Sequence, residues 1–96
     1  SATFMRTKYL SEGESYTESV LAVVAERGLE VVSLADLYEW VYKRREELGL
    51  IAASDLEAQT GTKSLRWKHR VRSALWHLRR TGRAVKIGRA KYRFLL

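Results

Sequence analysis

Neither cysteine nor proline occurs among the 96 residues. The first absence excludes disulfide scaffolds and thiolate zinc sites, so packing alone must hold the fold. The second leaves the ending of helices and the making of turns to glycine. No apolar run approaches the roughly 20 residues needed to cross a bilayer, and the opening residues lack the charged, apolar and small-residue order of a secretion signal. A soluble, cytoplasmic protein without a membrane partner is the expectation. Acidic residues are also missing from a whole region: after Glu57 there is no Asp or Glu.

What is present is positive charge, +7 in all, unevenly placed. Residues 1–48 hold six Lys/Arg against nine Asp/Glu, a net of −3, and residues 49–96 hold twelve against two, a net of +10. A basic half of this density attracts polyanions before any contact forms, and the acidic half then belongs to the side facing solvent. Length limits the chain to one small domain, for which ten aromatics and 46% hydrophobic residues supply a modest core.

The pattern predicts a tail or linker over residues 1–14 and one domain over 15–96. Ser15 with Glu18 has capping-box spacing, and Val20, Leu21, Val24 and Ala25 follow at helical spacing until Gly28. Glu30-Val31-Val32 reads as a short strand. Ser33 then caps a second helix whose apolar stripe is Leu34, Leu37, Tyr38, Val41, Tyr42 and Leu48, with Gly49 as its stop. Residues 50–65 show no period; Ser54–Gln59 reads either as a single helical turn or as part of an ordered loop.

A third helix is predicted from about Arg66 to Arg80. At roughly 100° per residue, Trp67, Ala74, Leu75 and Leu78 lie within about 60° of Val71 and form its buried stripe. The far side carries Arg66, His69, Ser73, Trp76, His77 and Arg80, flanked by Arg70, Arg72 and Arg79. After Gly82, Val85 and Ile87 alternate with Lys86, and Tyr92 and Phe94 alternate with Lys91 and Arg93. Period two on both sides of Gly88-Arg89-Ala90 is a β-hairpin, with Gly88 permitting the turn and the four apolar residues closing the core.

This order of elements predicts an α+β winged helix-turn-helix: three helices, a short strand and a carboxy-terminal hairpin wing. Double-stranded DNA is the expected partner, with the third helix in the major groove and the wing, residues 83–95, on the backbone or minor groove. Lys63 and Ser64, just before the helix, join the contact set. Arg66 and Arg70 are candidates for guanine edges or for phosphates. His69, Ser73, His77 and Arg80 complete the outer face, with Lys86, Arg89 and Lys91 as positioning contacts from the wing. Trp67 reads as core or groove contact. Trp76, about 140° from the buried stripe, reads as a contact to DNA or protein, or as a residue folded against helix two or the linker.

The stretch Val71-Arg72-Ser73-Ala74-Leu75-Trp76-His77-Leu78-Arg79-Arg80-Thr81-Gly82, with Lys86-Ile87-Gly88-Arg89-Ala90-Lys91-Tyr92-Arg93-Phe94, resembles winged-helix domains attached to bacterial restriction endonucleases. In particular it resembles the carboxy-terminal domain of those that cut DNA carrying N6-methyladenine. Arg72, Leu75, Leu78, Arg79, Gly82, Gly88, Arg89, Tyr92 and Arg93 match its pattern. Ala90 stands where a second turn glycine is usual, and Trp76 where a polar residue is more common. The resemblance implies a methyladenine-reading module of a restriction system, with a nuclease domain in cis or in trans and Trp67 and Trp76 as candidates for sensing the methyl group.

No catalytic constellation accompanies this reading, so a non-catalytic module without a cofactor is expected. His69 and His77 stand about 12 Å apart along a helix, too far to share a metal, and Asp55 and Glu57 form a carboxylate pair only on a loop. The alternatives are the winged helix of a transcription regulator, a structured-RNA binder, and a protein-interaction or dimerisation winged helix that uses Trp76. Oligomeric state is not specified by the pattern.

Overall fold

The computed structural model describes residues 13–28 and 30–95. Its elements in chain order are α1 (Tyr16–Arg27), β1 (Val31–Ser33), α2 (Leu34–Glu47), a 3-10 turn (Ala53–Leu56), α3 (Arg66–Arg80), β2 (Ala84–Gly88) and β3 (Lys91–Phe94). The three strands form one antiparallel sheet in the order β1-β3-β2. Three helices with such a sheet make a small α+β structure compatible with a winged-helix-like fold.

Local chemistry sets most of the boundaries. The Ser15 hydroxyl accepts from the Glu18 amide while the Glu18 carboxylate accepts from the Ser15 amide, a reciprocal cap that starts α1. Gly28, in the left-handed region at φ 63°, ends it. Ser33 starts α2 by accepting from the Asp36 amide. Between α2 and α3, an isolated bridge pairs Ala58 with Leu65 and closes the turn-rich segment into a loop. The 3-10 turn at its start overlaps the expected Ser54–Gln59 segment, shifted one residue toward the amino terminus.

The core lies between α1, α3 and the inner face of the sheet. All five residues of the expected α3 stripe, Trp67, Val71, Ala74, Leu75 and Leu78, are buried. They meet Val20, Val23 and Val24 of α1, Leu37 and Val41 of α2, and Val32, Ala84, Tyr92 and Phe94 of the sheet. Within α1 the inward residues missing from the expected stripe are Tyr16, Ser19 and Val23, and Ala25 is exposed. On α2, Leu48 is also exposed, whereas Arg45 is buried.

The hairpin corrects a larger expectation. Val85 and Ile87 do not close the core; both are more than 40% exposed, and Ala84 is the buried residue of β2. Registration explains this, because residues paired across an antiparallel ladder share a face. Ala84 pairs with Phe94 and therefore points inward, while Val85 pairs with Arg93, itself opposite Val31, on the outer face. A one-residue change of parity moves a whole strand's side chains to the other face. The hairpin turn is corrected too. Its left-handed residue is Ala90, φ 56°, and not Gly88, which stands at the end of β2 after a register irregularity.

Candidate nucleic-acid interface

The α3 helix is amphipathic in a simple sense: its apolar stripe is sealed, and its opposite side has nothing acidic on it. Ser73, Trp76, His77, Arg79 and Arg80 are exposed there. Arg83, Lys86, Arg89, Lys91 and Arg93 are exposed on and before the adjoining hairpin. Among the described residues, no carboxylate lies within ion-pairing distance of any of these cations; the four ion pairs present involve only Arg44, Arg66 and Arg70 on the basic side.

The amino-terminal end of α3 is different. Its cap residue is Leu65, whose side chain accepts no hydrogen bond, and its first turn contains no acid. The two loop carboxylates lie beside it instead. Glu57 Oε1 is 3.6 Å from Arg66 Nη1, and Asp55 Oδ1 is 3.3 Å from Arg70 Nε. Asp55 is itself buried; its other oxygen accepts from the Ala52 amide at 2.9 Å and braces the 3-10 turn. The expected pair of base-reading arginines is thus partly neutralised, and the Asp55–Glu57 pair is explained as their counter-charge. Half of the Arg70 side chain still faces solvent.

The other expected residues divide between the outer face and internal networks. Trp67 is only 8% exposed, edge-on to Tyr38 at 5.7 Å and tilted against Tyr42 at 4.9 Å. Packed against these rings on the apolar stripe, Trp67 belongs to the core. His69 is half-buried, with Arg72 Nη2 2.9 Å from its Nδ1, and Arg72 also donates to the Tyr38 hydroxyl at 2.6 Å. Through Thr62 Oγ1, 3.3 Å from its Nε2, His69 ties the loop to the helix. Lys63 is exposed on that loop; Ser64 is half-buried, its carbonyl accepting from the Gln59 amide.

A groove of about 470 Å³ separates the carboxy-terminal half of α3 from β2, lined by Trp76, Arg79, Arg80, Ala84, Val85 and Lys86. Trp76 is 57% exposed, and the Arg80 guanidinium carbon sits 4.8 Å from its ring centroid. Lys86, opposite Tyr92 in the ladder, is exposed and contributes to the lining of this groove.

Away from this surface a second polar cluster has a structural role that the linear pattern did not reveal. Glu14, expected in the tail, grips Arg44 in a fork, with Nε to Oε2 at 2.8 Å and Nη2 to Oε1 at 2.9 Å. It also accepts from the Ser19 hydroxyl at 2.6 Å. Arg44 reaches Glu26 in addition, and the buried Arg45 donates to Ser19 Oγ and to the Glu14 carbonyl while its guanidinium covers the Tyr16 ring at 3.9 Å. The hydrogen bonds from Arg44 hold the Glu14 carboxyl below its ordinary range, and burial pushes the Tyr16 phenol up. The remainder of the expected tail, residues 1–12, lies outside the described residues. A run of acidic and basic residues on a helix gives no sign of which member will turn inward.

No grouping of three or more His, Cys, Asp or Glu able to hold a metal occurs among the described residues, and none of their helices is long and apolar enough to cross a membrane. The chain matches no protein-family model, no curated protein and no solved structure.

Proposed function

We propose that this protein binds double-stranded DNA as a winged helix, with the outer face of α3 in the major groove and the hairpin along an adjoining backbone or the minor groove. One observation carries the reading: from Ser73 to Arg93 the exposed side of α3 and the wing is a continuous cationic surface without a carboxylate, while the reverse side of the same helix is sealed into the core. The major groove, about 12 Å wide, accepts one helix. Arg79, Arg80, Lys86, Arg89 and Lys91 serve phosphates, and Ser73, Trp76 and His77 are the side chains disposed toward bases. Arg66 and Arg70, braced by Glu57 and Asp55, present their free edges at the helix start. With Trp67 in the core, Trp76 is the aromatic left for any contact to a methyl group on adenine, the finer reading that belongs to a restriction system with a nuclease partner.

A second reading has its own observation. Val31, Val85, Ile87 and Leu95 are each more than 40% exposed around the sheet, and such a grouping suits a protein partner. Salt separates the two. Fluorescence anisotropy with matched DNA duplexes, carrying adenine, N6-methyladenine or 5-methylcytosine, and with duplex RNA should show DNA affinity falling by about three orders of magnitude from 50 to 200 mM salt. A selective gain for methyladenine supports the restriction module; equal DNA binding supports a general or regulatory binder. Absence of salt-sensitive binding gives the surface to a protein partner.

A further inference from the structure

An indole left more than half exposed is a solvation cost that a small domain ordinarily avoids by burying the ring or replacing it. Trp76 is more exposed than any other large hydrophobic side chain among the described residues, and it lies in the groove between α3 and β2. The lining of that groove combines this flat ring with three cations, Arg79, Arg80 and Lys86, beside Ala84 and Val85 of β2, and it includes no carboxylate. Its volume, about 470 Å³, falls within the range of about 300–1,000 Å³ usual for small-ligand sites.

We infer that this groove seats one unstacked nucleotide of a DNA strand, its base against Trp76 and its flanking phosphates against Arg79, Arg80 and Lys86. The inference rests on the DNA-binding reading and narrows its substrate to DNA carrying an unpaired or extruded nucleotide. Chemistry selects this occupant. An apolar protein anchor on the indole leaves three cations without counter-charges, whereas a nucleotide brings a ring and an anion joined at the right scale. Intact duplex is the poorer match, because its base faces are covered by their neighbours and only edges are offered. A base already out of the stack offers its bare face without the unstacking cost. Arg80 already lies over the indole ring, 4.8 Å from its centroid, so a base that stacks there displaces the guanidinium or takes the opposite face, and either way Arg80 stays in the lining of the groove as a cation for the phosphate.

The test uses the full chain at about 150 mM salt, near physiological screening, with four fluorescent probes. These are a short intact duplex, the same duplex with one unpaired adenosine, the same duplex with an abasic nucleotide at that place, and the single strand. The adenosine bulge should bind about tenfold tighter than either the intact or the abasic duplex, a ratio in keeping with one base stacked on an aromatic ring. Trp76→Ala should bring the ratio near one, and Trp76→Phe should keep part of it; unchanged circular dichroism and melting temperature confirm that each variant folds. Equal binding of intact and bulged duplexes overturns the nucleotide seat and leaves duplex binding standing. Equal gains for the adenosine and abasic bulges also overturn it, since a flexible backbone then suffices. Tight binding to the bulge or single strand with none to intact duplex upholds the seat and removes the duplex reading. Failure to bind any probe removes both.

Discussion

Arg44-Arg45 on α2 and Arg79-Arg80 on α3 are adjacent pairs of the same residue near the ends of two helices of almost equal length, and their surroundings are opposite. Arg44 is held by Glu14 and Glu26, and Arg45 is buried over Tyr16 with Ser19 Oγ and the Glu14 carbonyl as acceptors. Arg79 and Arg80 are exposed, with the Trp76 ring as the nearest partner of Arg80. The first pair has exchanged hydration for fixed internal acceptors and serves the fold. The second keeps its hydration and its field, which makes it available to an external anion. Side-chain type therefore says little about an arginine's role; the acceptors within reach decide it.

The comparison breaks most visibly if charge reversal on α3 harms folding rather than binding. Arg79→Glu with Arg80→Glu should lower affinity for duplex DNA more than 100-fold and flatten the dependence of log K on log salt by about two, near 0.9 for each lost phosphate contact. The melting temperature should change little, since less repulsion from the cations of the hairpin is offset by two carboxylates at the negative end of the helix dipole. A fall in melting temperature that accounts for the lost binding would show that these arginines belong to the fold after all.

On α2 the expected pattern is reversed. Arg45→Ala removes two hydrogen bonds made by a charged donor and exposes the Tyr16 ring, a loss of about 2 to 3 kcal/mol in urea unfolding. The salt slope of whatever DNA binding remains should be that of the parent protein. Glu14→Gln gives a smaller loss, on the order of 1 kcal/mol near neutral pH for a partly exposed pair. Its signature is in acid. Arg44 holds the folded Glu14 carboxyl below its ordinary 4.5, so its stabilisation is complete above that value and disappears as pH falls through the lowered one. Unfolding curves at pH 6 and at progressively lower pH should converge for parent and variant; a constant gap would assign the effect to packing.

Much of this arrangement is legible in the sequence because it depends on local rules. The Ser15–Glu18 cap, the Gly28 stop, the Ser33 cap and the α3 stripe each follow from spacing within one turn or two. Three features escaped, the first two because they depend on partners distant in the chain. Arg45 turns inward since Ser19 and Tyr16, 26 and 29 residues earlier, offer it an acceptor and a ring. Asp55 and Glu57 lose their appearance as a free carboxylate pair once the Ala58–Leu65 bridge brings the loop back to the start of α3. In the hairpin, period two was plain but its phase was not. Ala84 was the inward residue needed to set that phase, and an alanine beside two larger apolar residues carries a weak signal.

The smallest expected effect lies at the turn that joins the two regions. Ala90 occupies the left-handed region at φ 56°, where a Cβ crowds the following carbonyl at a cost of about 1 kcal/mol. Its own carbonyl accepts from the Leu34 amide at 2.8 Å, so the tip of the cationic wing is fastened to the first residue of α2. Ala90→Gly relieves the crowding and adds some freedom to the unfolded chain, for a net gain of about 0.5 to 1 kcal/mol and a rise of a few degrees in melting temperature. Loss of stability instead would mean that the half-buried Ala90 methyl packs for more than its conformation costs. Either result leaves the Leu34 amide with its acceptor, because that bond is made by backbone alone; what the substitution measures is how firmly the turn itself, rather than its attachment to α2, holds the wing against the domain.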